Sequence, residues 1–446
     1  MSGANCSRGG GFPHLILLVF SLFLSSCTTM ADYNYGRIDS NLAAGNYEAV
    51  SSELTEKKST IYGSHDEVLK FLDAGLVAHY DGKTEESNRL LAQAEKLMEA
   101  YFTTSLTQSV TSMVTNDLVQ DYAGEDFEDI YTNLFMALNY IEDGLIDDAM
   151  VEMRRFDNKL KKLRSKYEDL IRGMESDDQN SKVKRVSIQF YNSALAHYVS
   201  MLLNRGDGDY DSARIDASLL EEAFRTQKDV YDFALPATIA AEKDVRRSDT
   251  RLNVLAFSGF APIKKEEVVR AYSWRGTVWY KLALPKMEKR RSAITSIVAT
   301  AENKQTGEIY SRTLEQIESL ENISMDTFQQ KYSVLFTKAL LRSIAKTAAN
   351  TSMNTMARKS QDNTASLVFS LLDFATKVSN ELTERADVRT CRFFPAKASV
   401  TGFSLPAGDY KVTVQFMAGR HVTYAAEKDL SVRAGKLNFV EATCLR

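Results

Sequence analysis

The chain has 446 residues, enough for two or three domains that each bury a hydrophobic core. Hydrophobic residues make up 44% and charged residues 26%, which excludes a disordered chain and a polytopic membrane protein. A net charge of −4 does not support nucleic-acid binding, and four cysteines are too few for a disulfide-rich scaffold.

The first predicted element is a signal peptide over residues 1–26. An apolar run of ten residues, 15–24, is followed by Ser25 and Ser26. A membrane-spanning helix needs about 20 apolar residues, so this run is predicted to be the core of a signal peptide. Ordinary signal cleavage and an uncleaved anchor remain open as alternatives to the lipid anchor described next.

A cysteine stands directly after this leader. The stretch Leu24-Ser25-Ser26-Cys27 resembles the bacterial lipobox, in which the cysteine is lipidated and becomes the new amino terminus. The resemblance implies that Cys27 carries the lipid and that residues 27–31 form a tether. Thr28, and not aspartate, follows the cysteine. By resemblance to lipoprotein sorting in two-membrane bacteria, this implies the outer membrane, facing the periplasm. Two or three acyl chains give a firm anchor.

The next two hundred residues have the pattern of an α-helical array. No proline occurs between residues 14 and 235, and an interior proline would break a helix. Apolar residues recur at helical spacing, as at Leu134, Leu138 and Ile141. The sequence therefore predicts an α-helical domain over residues 32–245.

Short glycine turns divide this domain into helix pairs. Each turn glycine follows an amphipathic segment and is predicted to cap that helix in the left-handed conformation. After three of the turns, a small residue five positions later allows the second helix to pack closely against the first. The glycines are Gly45, Gly82, Gly144 and Gly208, and the small residues are Ser87, Ala149 and Ala213. This pattern resembles the tetratricopeptide repeat. The glycine spacings of 37, 62 and 64 residues differ from the repeat length of about 34, so degenerate pairs separated by extra helices are expected.

Short β-strands are predicted after residue 245. "RLNVLAFSGFAP", "GTVWYKLALP" and "SAITSIVATAEN" are rich in β-branched and aromatic residues, and "LPAGDY" forms a turn between two alternating runs near the end of the chain. We predict an α+β fold in which residues 246–446 form a β-sandwich-like domain built from 250–302 and 388–446. A helical hairpin is expected as an insertion over 313–385. Two independent small β units remain the alternative.

Several stretches, in this order, resemble a little-characterised family of bacterial lipoproteins over roughly residues 125–446. They are "NVLAFSGFAPIKKEEVVRAY", "LLRSIAKTAA", "RADVRTCRFFPA" and "LPAGDY", the last two standing where the family has ADTRSW and LPPGxY motifs. Family members join a tetratricopeptide-like helical domain to a β region. The resemblance implies this fold and an envelope location, and it implies no assigned reaction.

Two cysteines remain in the predicted β domain. Cys391 stands where the family motif has tryptophan, and Cys444 lies near the carboxyl end. In an exported protein these two can form a disulfide, which would contribute on the order of 4 kcal/mol. Two buried free thiols are the alternative.

The sequence contains no recognisable catalytic or cofactor motif. The motifs HExxH, GxSxG, the Walker loop and GxGxxG do not occur in it. His65, His79, His197 and His421 are too scattered for a zinc site. The two in "AHY" triplets, His79 and His197, are expected to form hydrogen bonds in the core or between helices, with catalysis or metal binding as the alternative. The aspartates of "DGDYDSA" lack the closing glutamate of a calcium loop. We therefore predict no enzyme activity, no metal and no cofactor.

One basic stretch is a candidate docking surface. Seven basic residues fall within a stretch with helical periodicity, which predicts the solvated face of a packed helix. The sharper hypothesis is an electrostatic dock for an acidic partner or for an anionic polymer such as lipid headgroups or glycan. The residues are Arg154, Arg155, Lys159, Lys161, Lys162, Arg164 and Lys166.

These observations favour a membrane-anchored, non-enzymatic scaffold. A helical repeat array offers a concave surface for extended peptides or envelope proteins, while the lipid holds it at the membrane. The alternative is an accessory regulator of peptidoglycan synthesis that binds glycan or a synthase through the β domain. A hydrolase with an unrecognised site is the third hypothesis, and no nucleic-acid partner is expected.

Overall fold

A computed structural model gives the protein an α+β fold. Within the described residues, no helix is long and apolar enough to cross a membrane. The predicted signal peptide, the tether and Cys27 lie outside the described residues. The structure describes residues 33–107, 120–176, 189–272, 279–331 and 385–446.

Helices fill the described chain as far as residue 243. They are α1 Gly36–Ala44, α2 Tyr47–Glu56, α3 Lys58–Ile61, α4 Glu67–Tyr80, α5 Thr84–Thr107, α6 Asp126–Glu142, α7 Ile146–Ser176, α8 Ala194–Asp207, α9 Tyr210–Thr226 and α10 Thr238–Lys243. A further helical segment covers residues 320–331. Three consecutive pairs, α4/α5, α6/α7 and α8/α9, pack side by side.

The predicted turns between paired helices are confirmed. All four predicted turn glycines have positive φ, from 70° at Gly82 to 91° at Gly208. The small residues five positions after three of them are buried. At the first of these, the Ser87 hydroxyl donates to the Gly75 carbonyl oxygen, 2.8 Å away. A Cβ atom at Gly75 would lie only 2.7 Å from Leu91, so α4 and α5 are in close contact there.

The remaining described chain is mostly β-strand. The strands are β1 Arg251–Phe260, β2 Ile263–Tyr272, β3 Trp279–Glu288, β4 Ser296–Asn303, β5 Ile309–Thr313, β6 Glu315–Ser319, β7 Pro395–Ser404, β8 Gly408–Ala418, β9 His421–Val432 and β10 Asn438–Cys444. The strand assignments made from "RLNVLAFSGFAP" and from the runs on both sides of "LPAGDY" are therefore confirmed.

These strands form two four-stranded sheets and one hairpin. The central sheet has the order β10-β1-β7-β6 and the outer sheet has the order β5-β4-β8-β9. Among the strands that the structure describes, β2 pairs with β3 alone. β1 is parallel to β10 and antiparallel to β7. Strands from before residue 320 thus pair with strands from after residue 394 in both sheets.

The central sheet is buried on both faces. Leu255 and Phe257 of β1 belong to a core shared with the helices. Leu252 and Val254 of the same strand belong to a second core, shared with the outer sheet. Alternate residues of a strand point to opposite faces, so the molecule has three layers: helices, central sheet and outer sheet.

The predicted helical insertion begins later than the sequence indicated. Residues 309–313 form β5 and residues 315–319 form β6, so 313 is not a helix start. The helix begins at residue 320, and residues 332–384 lie outside the described residues. The pattern was misread because β6 contains two glutamates and pairs with β7, far along the chain, and its Glu318 is fully buried.

The first helices of the three pairs, α4, α6 and α8, pack against the β layer, so the face that they form is not exposed. Phe135 of α6 packs on Phe257 of β1, with ring centroids 5.4 Å apart. The Tyr80 hydroxyl of α4 donates to the Phe393 carbonyl oxygen, and Arg205 of α8 donates to Asn253 of β1. The central sheet therefore covers the surface that the sequence suggested as an open concave groove.

Candidate functional site

A cleft of about 390 Å³ opens where the three layers meet. The helical layer lines it with Tyr47, His79 and Glu142, and the outer sheet lines it with Tyr424 and Lys428. The volume lies within the range of about 300–1,000 Å³ that is typical of ligand pockets. The cleft combines aromatic, apolar and charged groups from distant parts of the chain.

The floor of the cleft is the edge of a β-strand. Four successive residues of β10, 440–443, line it. The side chains of consecutive strand residues point to opposite faces of a sheet. Four consecutive residues can therefore line the same cleft only if the edge of the strand faces that cleft. β10 is an edge strand of the central sheet, and the described residues give 440–443 no main-chain hydrogen bond outside the ladder with β1. Free main-chain donors and acceptors at a sheet edge can pair with an added strand.

His79 joins the helical layer to this strand. Its Nδ1 lies 2.7 Å from Asn139 Oδ1 and its Nε2 lies 2.8 Å from the Glu441 carboxylate. The Asn139 amide nitrogen donates to Asn88 Oδ1, which fixes the amide orientation and leaves Oδ1 as an acceptor. Both ring nitrogens therefore face acceptors, an arrangement that suits the imidazolium form.

The charge on His79 follows from its surroundings. Burial favours the neutral imidazole, but the Glu441 carboxylate and the hydrogen bonds to Glu441 and Asn139 raise the pKa of His79 above its ordinary value. Both nitrogens are used within the protein, so His79 positions β10 against α4 and leaves no ring nitrogen free to act as a base.

An ion pair crosses the rim of the cleft. Lys428 of β9 contacts the Glu142 carboxylate at the end of α6. Both groups are partly solvent-exposed, so this pair adds little to stability. It is a contact that a ligand in the cleft could displace at small cost.

The predicted docking residues on α7 are largely paired within the protein. Arg155 contacts Glu95 and Glu152, and Lys159 contacts Glu95 and Asp129. Lys161 pairs with Asp157 one turn earlier. Arg154 and Lys162 are exposed, and the side chains of Arg164 and Lys166 lie outside the described residues. The predicted seven-residue dock is therefore reduced, among the described side chains, to two free exposed residues, because acidic residues on α7 itself and on neighbouring helices pair with the others.

The structure does not form the predicted Cys391–Cys444 disulfide. Both residues are buried free thiols. Cys391 belongs to the helix-facing core and Cys444 to the core between the two sheets, so the central sheet separates them. Burial together with the nearby carboxyl groups of Asp73 and Glu128 raises the pKa of the Cys391 thiol well above its ordinary value.

The expected roles of the histidines in "AHY" triplets are confirmed. His79 bonds to α6, and His197 Nδ1 lies 3.1 Å from Asp216 on α9. In "DGDYDSA", the Asp209 carboxylate accepts from the Ser212 main chain and so caps α9. Among the described residues, no group of histidine, cysteine and acidic side chains could hold a metal ion.

The stretch "RADVRTCRFFPA" lies at the centre of the molecule. The Glu128 carboxylate on α6 accepts hydrogen bonds from the Cys391 main chain, at 2.6 Å, and from the Thr390 hydroxyl. Arg389 contacts the Asp66 carboxylate at the start of α4. These buried polar contacts attach the start of β7 to the helical layer. No sequence pattern predicts them, because the partners are more than 250 residues apart.

A second buried polar cluster joins the end of α8 to β1. Arg205 contacts one oxygen of the Glu242 carboxylate at 2.7 Å and Arg251 contacts the other at 2.6 Å. Although burial opposes ionisation, the two guanidinium groups hold the pKa of Glu242 below its ordinary value. A Cβ atom at Gly402 on β7 would collide with the Glu242 carboxylate and the Arg251 guanidinium group, so a larger residue there must displace these buried side-chain ends.

Comparison with known proteins gives no relative for this chain: no family model, curated protein or solved structure matches it.

Proposed function

We propose that the protein is a membrane-anchored envelope lipoprotein that acts as a non-enzymatic scaffold for protein–protein interaction. The observation that carries this proposal is the unpaired edge of β10 along the floor of the cleft. Such an edge binds an extended polypeptide segment through main-chain hydrogen bonds, and side-chain pockets beside it add selectivity. The helical layer supplies one wall of the site, with Tyr47 and His79.

The proposed architecture is a degenerate tetratricopeptide-like array packed on a β-sandwich-like pair of sheets. Support for the array comes from three helix pairs with left-handed glycines in their turns. Support for the sandwich comes from the core that the central and outer sheets share. The proposed domains are residues 32–245 and 246–446.

The envelope location is proposed from the lipobox-like residues before Cys27, with an outer-membrane position facing the periplasm. Labelling cells with a palmitate analogue, followed by membrane fractionation, tests it. The wild-type chain is expected to take up label and to fractionate with the outer membrane. Cys27→Ser is expected to lose both properties, and label retained by this variant would refute Cys27 as the acceptor.

Site-specific photo-crosslinking in intact cells tests the scaffold proposal. A photoreactive residue at Glu427, an exposed residue in the cleft, is expected to capture a partner protein. The same residue at Ser218, on the exposed side of α9, is the control and is expected to capture none. Equal products at both positions would contradict a specific site in the cleft.

A matched pair of substitutions on β9 then tests whether the cleft itself is used. Ala426 lines the cleft, whereas its neighbour Ala425 is exposed and does not. Ala426→Trp is expected to fill the cleft and abolish capture by Glu427, and Ala425→Trp is expected to preserve it. Capture that survives Ala426→Trp would place the partner elsewhere.

The second proposed function is regulation of peptidoglycan synthesis through glycan binding. The observation in its favour is that Tyr47 and Tyr424 stand on two walls of the cleft, where aromatic faces can pack on a ligand. Co-sedimentation with isolated sacculi is the test. Binding that Ala426→Trp abolishes and Ala425→Trp retains would favour this function over the scaffold. Deleting residues 388–446 is unsuitable, because it removes strands from both sheets.

A further inference from the structure

A second cavity has a volume of about 350 Å³. The cleft lies at the β10 edge of the central sheet, and this cavity lies towards the other edge, near β6. It is lined by residues of α10, β1, β5 and β7 and by Glu315 of β6. Its polar lining consists chiefly of guanidinium and hydroxyl groups, from Arg251, Arg312, Thr238, Ser311, Thr313 and Thr401.

The buried cluster beside this cavity has an excess of positive charge. Arg205 and Arg251 share a single carboxylate, that of Glu242. The two guanidinium side chains are only 10% and 7% exposed, and the carboxylate is fully buried. Within this cluster two cations share one anion, which leaves one positive charge without a paired carboxylate in a region of low dielectric. Glu315 also lines the cavity, but no ion pair joins it to either arginine among the described residues.

The hydrogen bonds of Arg251 are also incomplete. A guanidinium group has five N–H donors. In Arg251, two bond to Glu242, one to Thr238 and one to Ser404. One Nη1 hydrogen therefore has no acceptor among the described residues.

We propose that this cavity binds a phosphate group, either free or carried by a lipid headgroup. Arg251 provides the buried positive charge, and exposed Arg312 on the rim provides a second guanidinium group. Guanidinium pairs and hydroxyl donors match the several oxygens of a phosphate group. One carboxylate, that of Glu315, lies on the rim, where it accepts from the Ala237 main chain at 2.8 Å.

Titration of the unlipidated Cys27→Ser chain with inorganic phosphate at constant ionic strength tests the proposal. Both calorimetry and thermal unfolding are recorded. Phosphate also stabilises folded proteins because it is excluded from their surface, and that effect does not saturate, whereas binding to a site does. Saturable binding is expected, and Arg312→Ala is expected to weaken it about tenfold, since it removes one charged hydrogen-bonding partner. Thr401→Val, which removes a buried hydroxyl, is expected to weaken it by a smaller factor. Arg214→Ala, an exposed arginine on α9, is the control and is expected to leave binding unchanged.

Sedimentation with vesicles separates the two sources of the phosphate group. Phosphatidylglycerol vesicles are compared with phosphatidylcholine vesicles, whose headgroup has no net charge. Binding to phosphatidylglycerol that Arg312→Ala reduces indicates a lipid headgroup, and binding to inorganic phosphate alone indicates a free ligand. The proposal is overturned if neither binds, or if Arg312→Ala and Arg214→Ala behave alike.

Discussion

The two ends of helix α8 are fixed to the β layer by buried glutamates in opposite chemical environments. At its start, Glu318 of β6 accepts from the Ser193 hydroxyl and the Leu195 main chain, and no basic group in the described part of the chain contacts it. At its end, Glu242 lies between Arg205 and Arg251. The first buried carboxylate is thus stabilised by neutral hydrogen-bond donors and the second by cations. We expect the stability of the protein to depend differently on mutation and on pH at these two sites.

The pKa values express this difference. Burial raises the pKa of Glu318 to about 7, and its hydrogen-bond donors only partly oppose that rise. At Glu242 burial acts in the same direction, but the two arginines overcome it and lower the pKa. Glu318 therefore titrates near neutral pH in the folded protein, whereas Glu242 remains ionised down to acidic pH.

Removing the carboxylate between the arginines is expected to have the largest effect. Glu242→Ala leaves Arg205 and Arg251 buried without their shared counterion, and the free energy of unfolding should fall by about 3–5 kcal/mol. Urea unfolding at pH 7 measures this loss. Glu221→Ala, which removes a partly exposed partner of Lys243, is the control and should cost less than about 1 kcal/mol. Similar losses in both variants would show that the cluster is not a main support of the interface.

Adding a methyl group beside the cluster of Glu242 and the two arginines is expected to lower the free energy of unfolding by somewhat less than removing the carboxylate does. Gly402→Ala places a methyl group against Glu242 and Arg251 and should lower the free energy of unfolding by about 1–3 kcal/mol. A double-mutant cycle with Glu242→Ala measures the coupling, because the collision with the carboxylate disappears in that background. Strict additivity would contradict the assigned contact.

Neutralising the other glutamate is expected to change the pH dependence of stability. Between pH 4.5 and about 7, folded Glu318 holds a proton that the unfolded chain has released, so stability falls as the pH rises through this window. Glu318→Gln removes this titration and should gain about 2–3 kcal/mol over wild type at pH 8, with little difference at pH 4.5. Urea unfolding across pH 4.5–8 tests it, and parallel curves for the two proteins would refute the assignment.

The sequence was informative wherever local pattern controls structure. Left-handed glycines at helix ends, buried small residues such as Ala149, and alternating strands such as β8 were all predicted, because each depends on neighbours within a few residues. Hydrogen bonding of His79 and His197 between helices was also predicted, but their partners, Asn139 and Asp216, were not, because they lie 60 and 19 residues away. β5 and β6 were missed because both are short and rich in polar residues. β5 pairs with the adjacent strand β4, whereas β6 pairs with β7, far along the chain.

The candidate sites depend on such distant pairing. Glu441 and His79 are 362 positions apart, and nothing near either residue indicates that they meet. The unpaired edge of β10 exists because that strand joins β1 in parallel, at the end of the central sheet. Neither strand order nor the shared carboxylate of Glu242 can be read from periodicity, which explains why the sequence placed the binding surface on the open face of the helices.

Substitution of His79 is expected to change the free energy of unfolding least, and it tests whether a buried charge pair joins the helical layer to the central sheet. Its pKa is raised in the folded protein, so its contribution is fully present below its unfolded pKa of about 6.5 and is lost as the pH rises through the folded value. His79→Gln keeps a polar group but cannot become charged, and it should destabilise by about 1 kcal/mol at pH 5.5 and by less at pH 9.

The His79→Gln measurement is made in the Glu318→Gln background, where the larger titration is absent. Glu441→Gln should reproduce the loss at low pH, because it removes the carboxylate that holds the imidazolium. If His79→Gln costs the same at both pH values, the interaction with Glu441 is an uncharged hydrogen bond. The cleft would then be held together by neutral donors, as at the start of α8, and not by paired charge, as at its end.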